Sequence, residues 1–277
     1  MCIVEPNLGR GIGAEQKAWF KDRLESSTAT WKIWASSLGA LDWRADPQNL
    51  PAGLTRESWP KNTYAALGGG DYGTAYAERA EIYHLVRDAK ITGFAIVSGD
   101  RHSFWAGYAT AELPPGKFEP VGLSFVGGSV ASPGVMESYE HRLPKDAPLR
   151  PLFLADREEG TKPDWTFNML LKHGVRACLE YAKSFDLKRA RSLSNPDLAP
   201  HLEFVDLGGH GYAKVRLSAD DQMRTEFVCI PRPITRSERP DGGPIRYRVL
   251  HTAALWKSGE RPQLKTTILE GDVGLAI

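Results

Sequence analysis

One continuous stretch does most to limit what this chain can fold into. Residues 76–90, YAERAEIYHLVRDAK, carry Tyr76, Ala80, Tyr83 and Val86 at helical spacing, and the last turn is basic. Gly93 is expected to close that helix, and the apolar run FAIVS, residues 94–98, follows as a buried strand. A helix feeding a buried strand needs layers to cover it, which directs the chain to an α/β architecture. The strand then runs without spacer into Gly99-Asp100-Arg101-His102.

The rest of the chain fits that frame. AEQKAWFKDRLE, residues 14–25, sets Phe20 and Leu24 four apart among charges of both signs, a surface-helix pattern, and TWKIWAS, residues 30–36, reads as a strand. From Asp42 to Asp71, prolines 47, 51 and 60 and the run Gly68-Gly69-Gly70 predict an extended loop, and loops of that length are often functional. GLSFVGGSVASPG, residues 122–134, predicts a strand entering a small-residue turn. Residues 168–183 align Leu171, Val175, Cys178 and Ala182 as one further helix. LEFVD, YAKVRL, EFVCI and RYRVLHTAALW supply later strands. Helix–strand units come first and strands dominate later, as a layered α/β protein with a mixed sheet requires.

At the 98–105 corner, alternation in an extended chain would turn Asp100 and His102 to one side and Arg101 to the other. The corner lies beyond the carboxyl end of a strand, where open α/β sheets gather ligands. Gly99 would let the backbone turn tightly before them. A carboxylate beside an imidazole is half of a first-row transition-metal site. An Asp that bonds its own turn and a His packed near Trp105 account for the same residues without a ligand. His210, in the turn Gly208-Gly209-His210-Gly211, could reach a pocket rim or simply sit in a hairpin. His84, His173 and His201 carry no clear signal. Arg232, Arg236, Arg239, Arg246 and Arg248 form a cluster that reads as a solvated loop before it reads as an anion site.

Several chemistries are excluded by pattern. The chain has no GxSxG nucleophile elbow, no GxxxxGK[ST] phosphate loop and no GxGxxG. Its three cysteines, Cys2, Cys178 and Cys229, are too scattered for a disulfide framework or a zinc ribbon. A net charge of +1 gives no field that would recruit nucleic acid, and no apolar run has the length of a membrane helix. The first residues, MCIVEPNLGRG, lack the pattern of a secretory signal.

Taken in order, LGRGIGAEQKAWF, TWKIWAS, AERAEIYHLVRDAKITGFAIVSGDRHSFWAG, GGSVASPG, NPDLAPHLEFVDLGGHGYAKVRL and EFVCIPRPITRSERPDGGPIRYRV resemble the C-terminal half of PhoD-like alkaline phosphatases. These belong to the calcineurin-like metallophosphoesterase superfamily, and the resemblance covers nearly the whole chain. It implies a layered mixed β-sheet sandwich flanked by helices, here without the family's N-terminal half, so that residues 1–277 form the C-terminal part of a metallophosphatase domain. It implies hydrolysis of a phosphate ester by a metal-activated water, with Asp100 and His102 as metal ligands through the family's Gly-Asp-x-His corner. Iron and calcium are the ions the family suggests, and zinc or manganese would suit the same donors. Arg101 and His210 become candidates for the pocket wall or for supporting the ligands from behind. The family's earlier ligand motifs have no match upstream of Asp100, and Asp42, Asp46 and Asp71 do not fit them. The expectation is therefore a truncated or split gene product, or a homologue acting as a structural or interaction module. An N-terminal complement, a partner chain or a second copy would complete the site. Family members are often exported.

Overall fold

In a computed structural model of the chain, residues 12–54, 58–67, 71–72, 75–158, 160–232, 238 and 243–276 are described. The Gly68-Gly69-Gly70 run, Cys2, Arg236 and Arg239 lie outside them.

Helix α1, Ala14–Ser26, buries Leu24 and sets Phe20 against Trp34, 5.0 Å between ring centres. Trp34 belongs to β1, Lys32–Ala35. Helix α2, Tyr76–Asp88, packs beside α1, with Lys17 and Lys21 both bonded to Glu81 at 2.7 and 2.8 Å. Ala80, Tyr83 and Val86 are buried as their spacing predicts, but Tyr76, in the first turn, is 45% exposed. The helix stops before Gly93. Lys90 adopts a left-handed φ of 52°, and bonds from Ile91 N to Val86 O and from Lys90 N to Arg87 O close the helix as a Schellman motif. Gly93 serves the next step instead: with φ at 67°, its missing Cβ would lie 2.1 Å from Thr30 O, where the chain crosses between β1 and β4.

Strand β4, Phe94–Ser98, pairs in parallel with β1 and with β6, Pro120–Val126. Strand β5, Phe104–Thr110, runs antiparallel to β6 and to β7, Leu202–Asp206. Among the described residues these form a five-stranded mixed sheet of order β1-β4-β6-β5-β7. Strands β1, β4, β6 and β7 all point one way, so their carboxyl ends, and the entry to β5, share one end of the sheet. Two short segments, β2 (Arg44–Ala45) and β3 (Ala65–Ala66), pair with each other within the expected loop.

A second sheet packs on the first. Strands β8 (His210–Ser218), β9 (Gln222–Ile230), β10 (Tyr247–Ala254) and β11 (Lys265–Gly271) form an antiparallel meander. Its inner face presents Met223, Phe227, Cys229, Tyr247, Val249 and Ala253 to Ala95, Phe104, Leu123, Phe125 and Phe204, and the rings of Phe104 and Phe227 stack at 4.9 Å. The opposite face of the first sheet is covered by α1 and α2 at one end. At the other it is covered by α3 (Val135–Arg142), α4 (Phe167–His173), α5 (Val175–Ser184) and α6 (Leu187–Arg191). The outcome is a mixed-sheet sandwich with helices on one side. Among the described residues no helix is long and apolar enough to cross a membrane.

The expected single helix at 168–183 is two. Gly174, with φ at 91°, breaks it, and His173 ends the first piece. The buried Asp46 carboxylate occupies the space a side chain at 174 would need, and it accepts from Val175 N at 2.8 Å, which starts α5 afresh.

Candidate functional site

The carboxyl end of β4 leads into the 99–103 corner, which is not extended as expected. Asp100 and His102 both take left-handed conformations, with φ of 69° and 49°. Gly99 needs no such freedom, so the turn is made by the two polar residues themselves. Left-handed backbone at alternate positions still yields the expected division of side chains: Asp100 and His102 are exposed and Arg101 is buried. Each such residue costs about 1 kcal/mol, a strain that folded proteins tend to keep at functional positions. The corner is pinned from below by Ser103 Oγ, which donates to Arg101 O at 2.8 Å and accepts from Trp105 Nε1 at 2.7 Å.

Arg101 anchors the floor. Its Nε donates to Asp71 Oδ2 at 2.8 Å and its Nη2 to Leu41 O at 2.5 Å. The guanidinium lies 5.2 Å from the Trp43 ring centre and 4.9 Å from that of Trp105. Gly39 makes this possible, because a Cβ there would sit 2.4 Å from Arg101 Nε. Burial pulls the Arg101 pKa down to about 10 against the opposing pull of Asp71, and the group stays cationic at neutral pH.

His102 is oriented from the side. Its Nδ1 lies 2.9 Å from Pro133 O, in the turn that follows β6. A carbonyl only accepts, so Nδ1 carries a proton, and in the neutral ring Nε2 is the nitrogen with the lone pair. Asp100, Arg101, His102, Asp71, Trp43 and the 133–135 turn together line a cleft of about 270 Å³.

His210 does not reach this cleft. It opens β8 rather than occupying a free turn, and it is fully buried behind the Pro133–Gly134 wall. Its Nε2 is 3.4 Å from Glu137 Oε2, and a Cβ on Gly134 would come within 2.9 Å of the same nitrogen. Burial, reinforced by Arg232, lowers its pKa, while Glu137 pulls the other way. Burial would raise the pKa of Glu137, but bonds from Arg232 and from Gly134 N more than offset this and hold it low. Arg232 is thus held at 2.6 and 2.8 Å by Glu137. Arg248 bonds Glu226 at 2.6 Å, and Arg246 lies 3.7 Å from buried Asp206 and over the Trp165 ring. The three described arginines of the cluster are bound to carboxylates rather than left in a solvated loop.

The remaining histidines are elsewhere. His201 is buried with Nε2 3.1 Å from Asp42 O, and His173 Nδ1 lies 2.8 Å from Ser194 Oγ. A larger cleft of about 340 Å³ beside Trp165 sets Arg157 against Asp164 at 2.6 Å. Pro133 and Glu137 escaped the reading of the sequence, and Asp71, which fits no ligand motif there, proves to be the partner of Arg101.

The donors at the corner suit a metal ion in kind, an oxygen and a correctly protonated imidazole, but not in number. Among the described residues no three of His, Cys, Asp and Glu are grouped to hold one. Asp100 and His102 are an incomplete set.

The sequence profile of PhoD-like phosphatases matches residues 7–168, more than half of the chain. The chain belongs to the PhoD-like phosphatase family. The match takes in the Asp100–His102 corner and the Pro133–Glu137 wall, and ends within α4 before His210 is reached. Alkaline phosphatase D of Bacillus subtilis (strain 168) is 24% identical over 123 residues, which are 44% of this chain and 19% of that protein. A solved structure titled "Structure of PhoD" shares the fold with a TM-score of 0.52 at 18% identity, over 96% of this chain and 37% of its own. This PhoD-like chain thus spans well under half the length of the relatives it matches.

Proposed function

We propose that this PhoD-like chain is the C-terminal part of a phosphate ester hydrolase, and that Asp100 and His102 are two ligands of its metal centre. The observation that carries the reading is the corner itself. Two left-handed residues at the end of β4 present a carboxylate and an imidazole side by side on one cleft, with the imidazole in the tautomer that leaves Nε2 free to bind. The Pro133 carbonyl fixes the ring as ligand-orienting acceptors do. Below them the buried Arg101 cation, held by Asp71, contributes positive charge to the floor on which an anionic ester would rest. The remaining ligands come from polypeptide outside the described residues. Iron and calcium fit the family, and zinc or manganese fit the donors. The chemistry such ions supply is polarisation of phosphoryl oxygens and ionisation of a water.

The test is metal content, by mass spectrometry of the purified protein for iron, calcium, zinc and manganese, followed by assays with an aryl phosphate monoester and a diester. Asp100→Ala and His102→Ala should each lower metal retention and abolish any turnover while the fold persists. Protein that takes up no metal and stays inactive after metal addition refutes catalysis by this chain alone.

A second reading has its own support. Among the described residues β1 and β8 are edge strands, with Ile33 on β1 and Val215 and Leu217 on β8 about 40% exposed. Apolar side chains beside two sheet edges suit a module that adds strands from another polypeptide segment or a second copy. Metal uptake restored only on adding the missing complement would favour that reading.

A further inference from the structure

One peptide plane joins the candidate ligand His102 to a buried carboxylate. The amide between Pro133 and Gly134 offers its C=O to His102 Nδ1 at 2.9 Å and its N–H to Glu137 Oε2 at 2.8 Å. The two groups belong to a single rigid trans unit, so their directions cannot change independently. Rotating the plane to release one bond breaks the other.

Glu137 is itself held on every side that bears on this amide. Arg232 grips it with Nε at 2.6 Å and Nη2 at 2.8 Å, and His210 Nε2 stands 3.4 Å away. The absence of a side chain at Gly134 lets the amide lie against His210. An anionic acceptor on the N–H of an amide also polarises the unit and makes its carbonyl a better acceptor.

We propose that Glu137 is a positioning residue for His102, acting through the Pro133–Gly134 amide to fix the ring's orientation and its Nδ1–H tautomer. Arg232 locks the carboxylate, and His210 closes the back of the wall. The relay exists whether or not a metal binds. That it prepares Nε2 for a metal rests on the hydrolase reading above.

The experiment is nitrogen-15 NMR of the imidazoles in metal-free protein, with the His102 signals assigned by loss in His102→Ala. In the native protein the neutral His102 ring should be almost wholly Nδ1–H. Glu137→Ala should lower the Nδ1–H to Nε2–H ratio by about tenfold, the worth of one oriented hydrogen bond. Glu137→Gln, which keeps a neutral acceptor for Gly134 N–H, should lower it by only about threefold. A loss of packing alone would not produce this graded shift in one ring's tautomer. An unchanged ratio in either variant that retains the native circular dichroism overturns the proposal. If the ratio shifts as expected but the protein never takes up metal, the relay stands and the hydrolase reading falls. If the metal binds and both variants leave the ratio unchanged, the opposite holds.

Discussion

His251 offers a direct test of how the sandwich core sets stability. It sits fully buried on β10, 6.2, 5.5 and 4.8 Å from the rings of Phe125, Phe204 and Phe227, with Nδ1 2.9 Å from Thr266 Oγ1. Burial holds its pKa down at about 3, against the ordinary 6.5. A base with a depressed native pKa is folded in its neutral form, so the unfolded chain takes up a proton that the folded chain refuses. Its share of stability is complete above about pH 6.5 and is lost as pH falls from there toward 3. Going from about pH 7.5 to about pH 4.5 spends roughly two units of that window, or about 3 kcal/mol at 1.36 kcal/mol per unit. For a chain of this size the melting temperature should drop by roughly 10 °C. His201, whose burial beside Asp42, Arg44 and Arg79 leaves it at about 4, adds a second proton over nearly the same range. His210, its pKa also lowered by burial, contributes in the same direction, so urea denaturation followed by circular dichroism at a series of pH values should show His251→Asn losing stability with a slope about one proton shallower than that of the wild type. The variant's own offset cancels because only slopes are compared. Parallel curves would refute the claim that His251 is neutral in the fold.

The other expectations concern the joints around the site. Gly174→Ala puts a Cβ 2.7 Å from Asp46 Oδ2 at a φ of 91° and should cost about 1–3 kcal/mol in urea denaturation. Asp46→Ala removes the acceptor for Val175 N and should cost a similar amount, and the double variant should lose less than the sum because the two share one joint. Asp71→Ala leaves the Arg101 cation without its carboxylate; since both side chains are under 10% exposed, the loss should be about 3–5 kcal/mol by thermal melting. Asp220→Ala, at an exposed pair with Arg224, should leave the melting midpoint where it was.

The layers were legible because their residues obey local rules. The stripe Ala80, Tyr83, Val86 and the run FAIVS set α2 against β4 without reference to anything distant. Strand β5 was not read: FWAGYAT lacks alternation because Trp105 faces the helices while Phe104 and Ala106 face the second sheet, all of them apolar. The break at Gly174 was hidden for a different reason. Glycine within a helical pattern is only a mild penalty, and what makes this one a break is Asp46, which is 128 positions away in the chain.

The site divides the same way. Alternation put Asp100 and His102 on one side and Arg101 on the other, and the conclusion stands although the extended backbone behind it does not. Two left-handed residues set two positions apart return their side chains to a common side, so a sequence reader reaches the right faces through the wrong conformation. What alternation cannot supply is the partner of each group. Asp71 meets Arg101, and Pro133 meets His102, only because β4, β6 and the Trp43 loop meet at the same end of the first sheet. Glu137 left the one local trace that could have been used. Gly134-Val-Met-Glu137 has the spacing at which a helix's third residue reaches back to the amide before it, and here that amide is the one His102 leans on. The helix cap and the ligand support are one object, so a substitution chosen to improve the cap would alter the imidazole as well.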